Sequence, residues 1–207
     1  MRLQATCIFG FLPRDDFGLA AAPDPGPSPD NAGSPADAAS VERDVRTAGG
    51  EATAFAYDVL SPPEDLAEHL GGGWQPTHFY YFSTPPIIGN KRFSPQIFRD
   101  YCPYYVEGFH ALWRLARSAF RQPLVFFYAS SVAVEQPAAG FGEYSAAKAA
   151  GEALCRYISA TDRKSKVHIA RLPRLPTDQT VTVFGDDLEV DPVDVLLGCL
   201  LEASAGG

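Results

Sequence analysis

The run PLVFFYA at residues 123–129 holds no charged residue and no alternation of polar with apolar positions. A strand of that kind must be covered on both faces, as strands in the middle of a parallel sheet are. Its surroundings fit this demand. THFYYFS at 77–83 is aromatic and β-prone, KVHIARL at 166–172 reads as a further strand, and ATCIFGF at 5–11 as a short buried one. EATAFAYDV adds a strand at roughly 52–57. Between them lie helical stretches. VERDVRTAGG, 41–50, closes on Gly49 and Gly50. SPPEDLAEHLGGG, 61–73, has Ser61 as N-cap and proline in its first turn. A long helix spans about 95–119, with Pro103 marking a kink or a late start. YSAAKAAGEALCRYISA at 144–160 and DPVDVLLGCLLEA at 191–203 complete the set. Strands alternating with helices of crossover length predict an α/β chain, a parallel sheet with helices on both faces. Ligands of such sheets bind beyond the carboxyl ends of the strands. The places to search are Asp58, Ser83, Ser130-Ser131 and Leu172.

Residues 1–207 are read as a single domain. Within it, residues 20–40 (AAAPDPGPSPDNAGSPADAAS) contain no large apolar side chain, so burial cannot offset the entropy of ordering them. They are expected to form a flexible insertion or linker. The formal charge of -8 and the lack of a basic block argue against a nucleic-acid surface. Cys7, Cys102, Cys155 and Cys199 are scattered, which predicts reduced thiols and a cytoplasmic protein. The four histidines make no metal-ligand spacing, so no metal is expected. No apolar run approaches ~20 residues and no secretory signal is read, so no membrane partner is expected. Phe79 to Phe82, Phe126 to Tyr128 and Trp113 are read as core.

The chemistry is concentrated at 124–152. A buried strand ends in Ser130-Ser131; Tyr144 and Lys148 follow, one helical turn apart and so on one helix face. A phenol is a weak base at neutral pH, and a neighbouring ammonium favours the phenolate. Ser131 would hold a substrate oxygen near Tyr144. A hydride would have to come from a cofactor, since no side chain supplies one. The small residues 145–147 and 149–151 would let this helix approach the sheet closely.

This serine, followed by Tyr-x-x-x-Lys, resembles the active-site region of the short-chain dehydrogenase/reductase family, with weaker similarity over about 41–203. The resemblance implies a Rossmann-like doubly wound sheet binding NAD or NADP, with the choice between them open. It implies Ser131, Tyr144 and Lys148 as catalytic residues, Lys148 also touching the nicotinamide ribose. It further implies that Asp58 accepts a hydrogen bond from the adenine amino group and that Val59 flanks the ring. Ser83 and Thr84 stand where the family has a cofactor-lining turn, and Pro173 where it has a Pro-Gly turn; Arg174 beside it reaches toward a phosphate or simply faces solvent.

Departures from the family pattern are equally plain. Gly10 is followed by FLPRDDFG, with no glycine-rich turn, so the N-terminal β-α unit is incomplete or altered. Either ATCIF is a degenerate first strand, or that unit is absent and ATCIF stands in for the second strand. Tyr105 occupies the position of a family asparagine, where packing is the favoured role. Two functions follow. One is an NAD(P)-dependent carbonyl reductase or alcohol dehydrogenase acting on a small carbonyl or alcohol, or on an acyl thioester. The alternative is a non-catalytic or truncated relative that serves as a binding or structural subunit. Apolar residues on the helix at 95–119, together with the helix at 144–160, predict a homodimer.

Overall fold

Four parallel strands form one sheet in sequence order: β1 (Ala5–Ile8), β2 (His78–Tyr81), β3 (Leu124–Ser131) and β4 (Ser165–Leu172). The computed structural model describes residues 5–8, 42–43, 45–47, 49, 52–55, 57–70, 75–87, 89–173, 195–196 and 198–199. The expected linker at 20–40, the segment after β1, Gly71 to Gly73, Arg174 and most of the helix at 191–203 lie outside the described residues.

β1 pairs directly with β2, from Ala5 opposite His78 to Ile8 opposite Tyr81. In a doubly wound sheet the strand at that place is the first. ATCIF is therefore a degenerate first strand and not a substitute for the second. The strand expected at 52–57 is not formed, since residues 52–55 and 57 carry no strand pairing. In the doubly wound order its ladder partner would be the second strand, and none is present among the described residues. Side chains of the preceding helical residues hold the segment instead. Glu42 accepts from the Ala54 amide at 3.0 Å, and Arg46 donates to the Ala52 carbonyl at 2.9 Å.

Helix α1 (Pro63–Leu70) is entered through Asp58, whose carboxylate accepts from Leu60 N and whose carbonyl accepts from Ser61 N, both at 2.9 Å. Ser94 caps helix α2 (Pro95–Cys102) by accepting from Ile97 N. The feature expected at Pro103 is a π-helical turn, Pro103–Glu107, which runs straight into helix α3 (Gly108–Ala119). Proline has no N–H to give the preceding turn, and the helix widens by one residue there. The Gly108 N–H reaches back to the Pro103 carbonyl, five residues earlier. Two carbonyls of this wide turn accept bonds from the sheet. Tyr81 donates to Tyr104 O at 2.5 Å, and Tyr128 donates to Tyr105 O at 2.9 Å. Tyr81 and Tyr128 are direct neighbours across β2 and β3.

Helix α4 (Gly142–Thr161) crosses the same face of the sheet. That face buries Phe79, Tyr81, Phe126 and Tyr128 against Phe109, Leu112, Cys155 and Ile158. The opposite face buries Phe127, Ala129 and Ala170, with Cys199 of the last helical residues packed on them. Cover on both sides accounts for the uniform burial of β3 from Leu124 to Ser130. Trp113 packs on the core as expected, and its Nε1 also donates to Ser165 Oγ at 3.0 Å. Of the apolar residues of the long helix that suggested a dimer, Tyr101, Tyr105, Phe109, Leu112 and Phe120 are buried, while Phe98 and Trp113 are half-buried.

Helix α4 meets the sheet at Gly151. A Cβ at that position would lie 1.9 Å from Tyr128 Oη and 2.6 Å from Tyr105 O. Gly151→Ala should therefore lower stability by about 1–3 kcal/mol, the usual cost of overpacking, as measured by the urea midpoint.

Candidate functional site

Ser131 ends β3 and caps the 3-10 turn Val132–Val134, its hydroxyl accepting from Ala133 N at 3.2 Å. Tyr144 lies in the first turn of α4, and Lys148 one turn further along. The Ser131 hydroxyl acts to lower the pKa of the Tyr144 phenol. The Tyr144 ring stands edge-on to Tyr105, with centroids 5.7 Å apart, and to Tyr101 at 6.5 Å. Lys148 is buried. Its Nζ donates to the Ala129 carbonyl at 2.6 Å and lies 4.1 Å from the centre of the Tyr105 ring. It also sits 5.5 Å from the Tyr128 ring and 5.8 Å from that of Tyr144.

The electrostatics differ from the sequence expectation. Lys148 was expected to hold the Tyr144 phenol below its ordinary pKa. Burial instead raises Tyr144; Ser131 works the other way and Tyr101 adds to the rise. The Lys148 Nζ bonds the Ala129 carbonyl and lies 5.8 Å from the centre of the Tyr144 ring. Burial pulls Lys148 itself down to about 7, partly opposed by the thiol of Cys155.

Tyr105 is fully buried, and its hydroxyl shares a 2.6 Å hydrogen bond with Thr84 Oγ1. It packs, as favoured from the sequence. Thr84 is thus joined to the Ser131, Tyr144 and Lys148 group through the Tyr105 ring. Ser83 is also buried and acts to lower the pKa of the Tyr81 phenol. Asp58 and Val59 lie along the other part of the π turn. Val59 Cγ2 would come within 2.3 Å of a Cβ at Gly108, and the charge of Asp58 reaches Tyr104. The Tyr104 hydroxyl is buried without a hydrogen-bond partner. Burial first, then Asp58, push its pKa up to about 12. Pro173 is exposed and follows Leu172, the register partner of Ser131. Sequence reasoning thus named the residues of two neighbouring patches, with the π turn between them.

It missed the group behind Ser131. Glu152 is fully buried; its Oε1 accepts from Ser130 Oγ and Arg171 Nε, each at 2.7 Å. Its Oε2 accepts from Arg171 Nη2 at 2.7 Å and Arg156 Nη2 at 2.6 Å. The Arg171 bonds above all hold its carboxyl below the ordinary value, with Ser130 and Arg156 adding to the effect against the cost of burial. The signal was present: Glu152 falls one turn after Lys148, and Arg171 interrupts an otherwise apolar stretch of β4. Among the described residues no cluster of histidine, cysteine, aspartate and glutamate could hold a metal, and no helix is long and apolar enough to cross a membrane.

Neither a protein-family model nor a curated protein matches this chain. Solved structures match it in shape: the fold is like that of short-chain dehydrogenases, a Rossmann-like parallel sheet with flanking helices. A protein from Escherichia coli CFT073 assigned as a short chain dehydrogenase and complexed with NADPH superposes at a TM-score of 0.65 with 16% identity, over 82% of this chain and 75% of that one. A short chain dehydrogenase of Salmonella enterica serovar Typhi gives 0.62 and 15%, over 79% and 72%. FolM alternative dihydrofolate reductase 1 from Brucella suis, in complex with NADP, gives 0.61 and 13%, over 77% and 63%.

The buried lysine leaves a signature in solution. Between about 7 and 10.5 the unfolded chain keeps a proton on Lys148 that the folded chain has released. Raising the pH through that window therefore favours the folded state, and lowering it withdraws the gain. The Lys148 contribution to stability from urea unfolding should rise across this window, set against the buried phenols and the Cys155 thiol, whose raised values act the other way in its upper part. In Lys148→Met the part of the slope owed to this residue should be gone.

Proposed function

We propose that the chain is an NAD(P)-dependent oxidoreductase that interconverts a small, moderately apolar carbonyl compound and its alcohol, an acyl thioester being a further substrate of the same chemistry. The observation that carries this reading is the placement of Ser131 at the carboxyl end of β3 and of Tyr144 and Lys148 one turn apart on α4, with the Lys148 Nζ 5.8 Å from the centre of the Tyr144 ring. Binding sites of doubly wound sheets lie at that end. Fit to a dinucleotide is supported by the orphaned, buried hydroxyl of Tyr104 beside Asp58, since a buried donor without a partner calls for an explanation. In this reading Asp58 accepts from the adenine amino group and Val59 flanks the ring. The backbone at Ser83 and Thr84 passes the ribose, and Pro173 bounds the nicotinamide end. The bound cofactor supplies or takes the hydride. Among the solved neighbours, the Escherichia coli CFT073 protein holds NADPH and the Brucella suis protein NADP.

The chain's own residues manage the proton. Ser131 donates to the substrate oxygen and holds it beside Tyr144. Tyr144 protonates that oxygen on reduction and deprotonates it on oxidation. A phenol held above its ordinary pKa keeps its proton at neutral pH, which suits the direction of reduction. Lys148, when charged, stabilises the phenolate left behind.

A second reading, the non-catalytic binding or structural subunit, is favoured by one observation. Lys148 is committed to the Ala129 carbonyl and the Tyr105 face, so its ammonium does not depress the Tyr144 phenol. Calorimetric titration with NADPH and NADH, followed by turnover on a panel of aldehydes and ketones, separates the two. The oxidoreductase binds at least one cofactor at micromolar to millimolar levels. Tyr144→Phe keeps that binding and loses turnover by about a hundredfold or more, the size of lost acid–base assistance. Failure to bind either cofactor supports the second reading. A cytoplasmic homodimer joined through α3 and α4 belongs to the same proposal; the exposed Tyr157 on α4 supports it. Light scattering should give twice the chain mass, and a monomer at high micromolar concentration removes the dimer.

A further inference from the structure

We infer that Arg171 is a positioning residue: through the carboxylates of Glu152 and Glu135 one guanidinium ties down the residues on both sides of the segment 131–134 and so fixes the Ser131 hydroxyl beside Tyr144. The inference rests on the proposed oxidoreductase reading of that pair. On the strand side, Arg171 makes two bonds of 2.7 Å to Glu152, whose Oε1 also accepts from Ser130 Oγ at 2.7 Å. On the turn side, Arg171 Nη1 bonds the carboxylate of Glu135, the residue that closes the 3-10 turn opened by Ser131. Ser130 and Glu135 bracket the segment 131–134, and both are tied to the same side chain.

The parts differ in how much freedom they have. Glu152 is fully buried and rides on α4, the helix that carries Tyr144 and Lys148. Its second oxygen is occupied by Arg171 and Arg156, so its lone pairs are directed. A guanidinium bonded through two parallel N–H groups holds a carboxylate in one plane, which an ammonium cannot do. The clamp therefore transmits the position of α4 to the end of β3. Ser131, whose hydroxyl accepts from Ala133 N and acts on the Tyr144 phenol, is the point that benefits. Pairing Ser131 with Leu172 puts Arg171 on the neighbouring strand within reach of both arms.

The test reads the Ser131–Tyr144 contact without needing turnover. Full-length chain is labelled at tyrosine Cζ, and the Tyr144 resonance, assigned by its loss in Tyr144→Phe, is recorded at neutral pH, where its shift reports the hydrogen bonding of the phenol. Ser131→Ala sets the displacement expected for a lost contact. Arg171→Met should move the resonance the same way by at least half as much, and Arg171→Lys should move it too, because one ammonium cannot hold both carboxylates in plane. Glu135→Gln, at an exposed site that does not threaten folding, should give a smaller shift of the same sign. Should Arg171→Met fail to fold, Arg171→Lys and Glu135→Gln carry the test. Wild-type shifts in the folded Arg171 and Glu135 variants, beside a displaced Ser131→Ala, overturn the clamp and leave the functional reading standing. An unmoved resonance in Ser131→Ala removes the Ser131–Tyr144 contact, and with it both the clamp's purpose and the reading it rests on.

Discussion

Two buried tyrosine hydroxyls, on adjacent strands and in register, must each find an acceptor, and the structure is arranged around the two carbonyls they find. Tyr81 and Tyr128 donate to Tyr104 O and Tyr105 O. A buried hydroxyl left unpaired costs about 1–3 kcal/mol, so two of them weigh heavily against a domain's total stability. The acceptors are available because Pro103 opens a π turn at this place. The neighbouring elements must then be bare where they approach. Gly108 leaves room for Val59 and the Tyr81 hydroxyl, and Gly151 leaves room for the Tyr128 hydroxyl. The same turn sends the Tyr105 ring under Lys148. The strand pair, the turn, the two glycines and the lysine's surroundings are one connected arrangement.

Within it, burial outweighs attraction. A lysine drawn from 10.5 to about 7 has lost on the order of 5 kcal/mol of preference for its charged form. A cation over an aromatic face returns about 0.5–2 kcal/mol. Three surrounding tyrosine rings and one carbonyl thus soften the penalty and do not cancel it. The same burial acts on the phenol of Tyr144 in the opposite direction, raising it. Reading Tyr-x-x-x-Lys as a cation beside a phenolate captures the spacing. It leaves out the desolvation both groups undergo when the helix is pressed onto the sheet at Gly151.

What the sequence disclosed follows the range of the interactions concerned. The uniformly apolar PLVFFYA became the fully covered strand β3, because burial on two faces leaves a local imprint on composition. Pro103 was visible as an interruption, since its effect is confined to its own helix. The segment 52–57 misled for the opposite reason. Its strand character needed a partner strand, and composition does not report whether a partner exists. The site shows the same division. Ser131, Tyr144 and Lys148 were legible from spacing along one strand–helix unit. The role of Tyr105 beside them, and the Glu152–Arg171 pair behind them, join residues 43 and 19 positions apart. No periodicity links such positions, and each residue alone is ordinary.

The fold and the chemistry are therefore decided by different parts of the chain. Shape agreement with short-chain dehydrogenases at 13–16% identity requires only the parallel sheet, its helical cover and the close approach of α4. The proposed chemistry asks in addition that Lys148 be charged when Tyr144 acts. In its present place the Ala129 carbonyl is its acceptor, and that bond does not offset its burial. A ligand bearing acceptor oxygens at the carboxyl end of β3 would offer the charged form a better partner. Its binding would then draw a proton onto Lys148, because any group whose protonated form is preferred in the complex binds that proton more tightly there. The phenol of Tyr144 would acquire its neighbouring cation in the same step. On the proposed reading, ligand binding and activation of Tyr144 would in that sense be one equilibrium, governed by how tightly Ala129 and Tyr105 retain the lysine.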